Sequence, residues 1–176
     1  MRIAISGSHG SGKSTLIEAF LDRHHDFAHE PEPYVTLQEV YGEAFAEKPT
    51  LEDFQRQLEL NVETLRRYTV GDRVIFERSP FDFLAYILAI SHDPDPWITT
   101  VRSAAPLLDA VVFLPLDGRI DVAESEDLTL RETVDDLLHD MLLAGEHDLF
   151  TGPLPVVIEA RGTVEQRLLA VESTLR

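Results

Sequence analysis

A short apolar run, Ile3-Ala4-Ile5 within Arg2 to Ser6, opens the chain and stops at a stretch of glycines and serines. Apolar residues without alternation predict a strand covered on both faces. A helix is expected from Ser14 to about His24, a short strand near Phe27 to His29, and a short helix near Leu37 to Phe45. The clearest amphipathic stripe is Leu51, Phe54, Leu58, Val62, Leu65 and Tyr68, at helical spacing. Thr50 is the N-cap expected for it, with Asp53 three residues on. Arg73 to Glu77 reads as a buried strand, and Ser79-Pro80 opens another helix with proline at its first position. A fourth strand is expected over Ala110 to Leu114 and a fifth over Pro155 to Glu159. The polar stretch Asp117 to Thr129 leads into a helix from Leu130 to about Ala144, and a last helix runs from Thr163 to Leu175.

Strands that alternate with helices predict a parallel sheet with helices on both faces. The expected fold is one α/β domain over residues 1–176, three layers with a five-stranded parallel sheet and helices on both faces. In such sheets ligands bind beyond the carboxyl ends of the strands. That rule gathers the glycine-rich turn, Glu30, Glu77-Arg78, Leu116-Asp117 and Ala160-Arg161-Gly162 into one cleft.

Composition narrows the picture. A chain of 176 residues, 44% hydrophobic, can bury a full core. No apolar run approaches the roughly 20 residues that cross a bilayer. The chain begins directly on its first strand, so no leader is expected and the cytoplasm is the expected address. With no cysteine, disulfides and thiolate metal sites are excluded, and the seven histidines show no zinc spacing. The balance of 32 acidic to 15 basic residues, net −17, disfavours nucleic acid and anionic membranes as partners. It also makes the few cations informative.

The turn itself, Gly7-Ser8-His9-Gly10-Ser11-Gly12-Lys13-Ser14-Thr15, has the spacing G-x-x-x-x-G-K-[ST] of a phosphate-binding P-loop, which makes the expected α/β domain a three-layer P-loop NTPase fold. Gly7, Gly10 and Gly12 let successive N–H groups point at one anion, and the following helix adds its orphan N–H groups and positive end. Lys13 is expected on the outer phosphates of ATP and Ser14 on Mg²⁺. Glu77, at the end of a buried strand, is the expected carboxylate behind the waters of Mg²⁺. Arg78 is expected to neutralise charge on the transferring group.

The segments GSHGSGKST, ERSPFDFLAY and LLDAVVFLP together resemble the small P-loop kinases of nucleosides and nucleotides, the ribosylnicotinamide-kinase-like (NadR/AAA-type) group above all. The ending Val157 to Leu168 is similar too. The resemblance implies that Arg161, Gly162 and Thr163 lie beside the adenine and that Asp82 faces the cleft. Glu30-Pro31 and Glu77-Arg78-Ser79 also resemble deoxynucleoside kinases, in which a Glu-Pro after the second strand supplies the base and a helical glutamine, here Gln55 or Gln57, reads the nucleobase. Glu30 is the expected base, with Asp82 as its competitor. The implied lid, residues 117–130, departs from the family in carrying few arginines, so Arg131, with or without Arg119, must serve the transferring group. The implied activity is transfer of the γ-phosphoryl of Mg-ATP to a small hydroxyl acceptor. A regulatory switch NTPase and a 5′-hydroxyl nucleic-acid kinase are the alternatives. Expected partners are ATP and a small-molecule acceptor, with room for a homodimer.

Overall fold

The computed structural model describes residues 1–45, 48–91, 95–116, 127–150, 154–173 and 175. Five parallel strands form one sheet in the order β2-β3-β1-β4-β5. They are β1 (Arg2–Ser6), β2 (Ala28–Glu30), β3 (Val74–Glu77), β4 (Ala110–Phe113) and β5 (Val156–Glu159). Among the described residues seven α-helices connect and cover them: α1 (Lys13–Leu21), α2 (Pro33–Glu39), α3 (Leu51–Arg67), α4 (Pro80–Ile90), α5 (Asp95–Ala104), α6 (Leu128–His139) and α7 (Val164–Ser173).

Strand side chains alternate between two cores. Ile3 and Ile5 of β1, with Ile75 and Val112, meet Leu16, Ile17 and Phe20 of α1 and Leu168 and Val171 of α7. Ala4, Phe76, Val111 and Phe113 point the other way, into a larger cluster with α3, α4, α5 and α6. The expected three-layer architecture is therefore present. Both edges of the sheet are thinly covered. Strand β2 has three residues, and in β5 Val156 is 55% exposed, with Leu154 before it at 60%.

Three elements depart from expectation. Helix α2 starts at Pro33 rather than near Leu37, because proline's fixed φ suits a first helical position; beyond its end Gly42 has φ +70°. Helix α5 was not expected from the pattern, though Trp97, Val101 and Ala104 share a helical stripe and the last two are fully buried. Helix α6 starts two residues early because the Asp127 carboxylate accepts from the Leu130 N–H at 3.0 Å. It then widens into a π turn over Asp140–Ala144. Most of the expected lid, residues 117–126 with Arg119, lies outside the described residues.

Candidate phosphate-binding and transfer site

Between β1 and α1 the chain turns through Gly7, Gly10 and Gly12 at φ +153°, +68° and +92°. Close approach makes the first of these glycines obligatory. A Cβ on Gly7 would stand 2.5 Å from Ser11 Oγ and 2.7 Å from the Leu114 carbonyl oxygen. Ser8 and Ser11 are buried, and neither hydroxyl has a hydrogen-bond partner among the described residues. Buried polar atoms left so are expected where a ligand completes them. His9, Ser14 and Thr15 are exposed at the mouth of the turn.

Four cations converge on the backbone of this turn. Lys13 Nζ donates to the carbonyls of Gly7 (3.0 Å) and Ser8 (2.9 Å). Arg78 Nη1 donates to Gly7 O (3.2 Å), Arg131 Nε to His9 O (2.7 Å) and Arg167 Nη1 to Ser11 O (2.8 Å). Burial, aided by the neighbouring Arg78 charge, lowers the Lys13 pKa to about 8.

Arg78 sits at φ +79°, unusual for a residue with a Cβ. Its backbone is held from two sides: its N–H donates to Ile5 O at 3.0 Å, and Asn61 Nδ2 donates to its carbonyl at 3.3 Å. Its guanidinium is buried, donates through Nε to the Glu32 carboxylate, and lies 5.6 Å from the centre of the Tyr86 ring. Burial disfavours the Glu32 carboxylate, but Arg78 and then Lys13 outweigh it and hold the group below the usual carboxylate range. Burial likewise works against the Arg78 cation, and Glu32 with Tyr86 and Asp82 more than offsets it, so its pKa is raised.

The two carboxylates expected to compete lie elsewhere. Glu30 pairs in register with Phe76, which faces α3, so its side chain is on the α3 side of the sheet and accepts from the Tyr68 hydroxyl. Burial and that bond push Tyr68 up to about 12. Glu30 lines a small cavity with Pro31, Thr36, Asn61 and Glu77. Asp82, expected at the cleft, lies against the first peptide of the turn. It is fully buried and accepts from Gly7 N (2.9 Å), Ser79 N (2.8 Å) and Ser79 Oγ (2.8 Å), with Arg78 Nη1 3.5 Å away. Proline at the first position of α4 fixes the helix start, and the third residue then reaches back across the sheet to the P-loop.

Glu77 pairs in register with Ile5 and so faces α1, where its Oε1 accepts from Ser14 Oγ at 2.7 Å. A hydroxyl and a carboxylate at an exposed helix start are hard oxygen donors and fit Mg²⁺, which is held by few protein ligands. His29 Nε2 lies 4.0 Å from the other Glu77 oxygen. On the far side of the turn, Arg161 is exposed and paired with Glu159 at 2.5 Å. Gly162 has φ +89°, and Thr163 caps α7 through reciprocal bonds with Gln166 (2.9 and 3.3 Å). On α3, Gln55 is half-buried and Gln57 buried, donating to the Asp53 carbonyl at 3.2 Å.

Sequence reasoning did not single out Glu32, Asn61, Tyr68 or Arg167 as site residues. Signals existed for three of them. Glu32-Pro33 repeats Glu30-Pro31; Asn61 is a polar residue within the apolar stripe of α3; Arg167 stands beside Leu168 on the buried face of α7.

Solved structures share the fold. A thymidylate kinase from Ehrlichia chaffeensis superposes with a TM-score of 0.67 at 16% identity, over 99% of this chain and 97% of that one. A deoxyadenosine kinase from M. mycoides, solved with dCMP and dCDP, gives 0.66 at 18%, over 99% and 98%. NadR, in complex with NAD and AMP-PNP, gives 0.68 at 15%, over 98% of this chain and 48% of that one. No curated protein matches the sequence. The model of one family, AAA_28, an AAA domain, matches residues 2–167, and the chain belongs to that family.

Proposed function

We propose that this protein is a kinase that moves the γ-phosphoryl of Mg-ATP to the hydroxyl of a small acceptor, a nucleoside or nucleotide-like metabolite. The observation that carries this reading is the meeting of Lys13, Arg78 and Arg131 at one P-loop, with a carboxylate, Glu32, held beside Arg78. A phosphoryl group in transfer spreads negative charge over its outer oxygens, so catalysis is mostly positioning and neutralisation. Lys13 and Arg131 now bond to carbonyls of the turn, and phosphate oxygens are the stronger acceptors they would exchange them for. Ser14 and Glu77 would hold Mg²⁺, which neutralises charge on the phosphates when bound. Gly7 to Thr15 would cradle the phosphates, with Arg161, Gly162 and Thr163 on the adenine side.

The acceptor hydroxyl needs one carboxylate to orient it. Glu32 suits that role better than Glu30, because it alone of the two stands against Arg78, whereas Glu30 is engaged by Tyr68. Glu30, Thr36 and Asn61 would then line the acceptor's pocket. Asp82 would act through the turn it supports. The names of the thymidylate and deoxyadenosine kinase neighbours agree with a nucleoside or nucleotide acceptor. Among the described residues no helix is long and apolar enough to cross a membrane, which suits a cytoplasmic metabolite as substrate.

The test is ADP release across a panel of nucleosides, nucleotides and sugars, with a control lacking acceptor and a Lys13→Ala control. Release should depend on an acceptor and vanish in the variant. Release at one rate whatever the acceptor would replace the kinase reading with that of a switch NTPase.

A further inference from the structure

We infer that Arg167 is a positioning residue for nucleotide binding: a buried guanidinium on α7 that fixes the crest of the P-loop from beneath. Its Nη1 donates to the Ser11 carbonyl at 2.8 Å, across 156 residues of sequence, and the residue is only 5% exposed. The bond is charge-assisted and shielded from water, the circumstances in which a hydrogen bond holds most strongly.

Ser11 is the residue through which this matters. It lies between Gly10 and Gly12, both in the left-handed region, so its peptide groups are flanked by the two most freely rotating positions of the turn. Fixing the Ser11 carbonyl fixes the peptide plane it shares with the Gly12 N–H. That N–H belongs to the set that must point at one anion. Lys13, Arg78 and Arg131 hold the carbonyls of Gly7, Ser8 and His9, and the first and last of these cations are the ones a phosphate would attract. Arg167 reaches the turn from the core that α1 and α7 share, beside Leu168 and Val171, and would keep its partner while Lys13 and Arg131 exchange theirs.

The same residue joins the phosphate cradle to the turn after β5. Arg167 N donates to Thr163 O at 2.9 Å in the first turn of α7, whose cap is the Thr163–Gln166 pair. Thr163 follows Gly162, whose φ of +89° suits glycine. The start of α7 thus links the turn after β5 to the turn after β1 through Arg167.

The inference rests on the nucleotide-binding part of the proposed function and not on the acceptor. It is tested by equilibrium binding of ATP and of inorganic tripolyphosphate to wild type, Arg167→Met, Arg167→Gln and Arg167→Lys, with thermal melts of each. Losing one charge-assisted bond should weaken ATP about tenfold in the Met and Gln variants. Tripolyphosphate should weaken by the same factor, because the lost contact orders the phosphate end, and Lys should recover most of both affinities. Equal ATP affinity in wild type and Arg167→Gln overturns the inference, and so does a loss for ATP without one for tripolyphosphate. If neither neutral variant folds, Arg167 is a core residue and the inference falls. A wild-type chain that binds neither ligand overturns the nucleotide reading itself, and this inference with it.

Discussion

Glu30 and Glu32 differ by two positions and by the company they keep. One accepts from Tyr68 on the α3 side of the sheet, the other from a buried guanidinium beside the P-loop. Removing a group that acts in the transition state lowers kcat, and removing uniform binding raises KM. Glu32→Gln is expected to lower kcat by about 10²-fold with the ATP KM kept, as loss of a general base does. Glu30→Gln should act mainly on the acceptor KM, and steady-state kinetics of both variants checks this. The reverse pattern would return the role to Glu30. Lys13 gives a prediction in pH. Its pKa of about 8 means that the empty protein loses this proton as pH rises through 8, while bound phosphates favour the charged form. ADP binding should therefore take up a proton in the window between that value and the ordinary lysine range, and weaken there. Calorimetry in buffers of different ionisation heat reads the uptake directly. By linkage, the unfolded chain holds this proton longer than the folded one, so the Lys13 contribution to stability rises with pH across the same window. The P-loop was legible because its signal is local, three glycines at positive φ and a Lys-Ser-Thr within nine residues. The choice between Glu30 and Glu32 was not, because it depends on the pairing of Glu30 with Phe76, a register fixed by long-range strand contacts.

Helix starts carry much of the site, and two of them show how differently the same device can matter. Thr50 caps α3 at the periphery, where it and Asp53 exchange bonds at 2.7 to 3.3 Å in an exposed setting. Thr50→Ala should cost about 1 kcal/mol. At the head of α4 the Ser6, Ser79 and Asp82 side chains form a buried chain, with Ser6 Oγ 2.6 Å from Ser79 Oγ, and Asp82 extends it to Gly7 N. Asp82→Ala strands buried donors and an adjacent guanidinium, and about 3–5 kcal/mol should be lost in urea unfolding. Nucleotide affinity should fall with it, since the first peptide of the P-loop loses its anchor. A loss no larger than that of Thr50→Ala would show that Asp82 is dispensable to the loop. Sequence patterns gave the apolar stripe of α3 plainly because its polar face is long and continuous. They gave α5 poorly, because a ten-residue helix offers only a brief stripe between Trp97 and Ala104.

At the scale of the whole molecule the charge is the dominant fact. A net −17 on a chain of this size repels itself in the compact state. Raising salt from about 0.05 to about 0.5 M shortens the screening length severalfold and should raise the melting temperature. A fall would mean that specific ion pairs, such as Arg73–Asp26 or Arg56–Glu43, outweigh the general repulsion. The five-stranded order could be anticipated as a class from the alternation of elements, but not as the permutation β2-β3-β1-β4-β5, which rests on long-range strand pairing.

The thinly covered margin of β5 then takes on a meaning in colloidal terms. An uncovered strand edge with apolar neighbours is a template on which a second molecule can add. Here Pro155, Glu159 and the long-range charge of the entire particle keep that template idle. As pH approaches the isoelectric point near 4.6, the particle loses its long-range barrier while the margin keeps its shape. Shelf life of concentrated samples near that pH should then depend on Leu154 to Ile158.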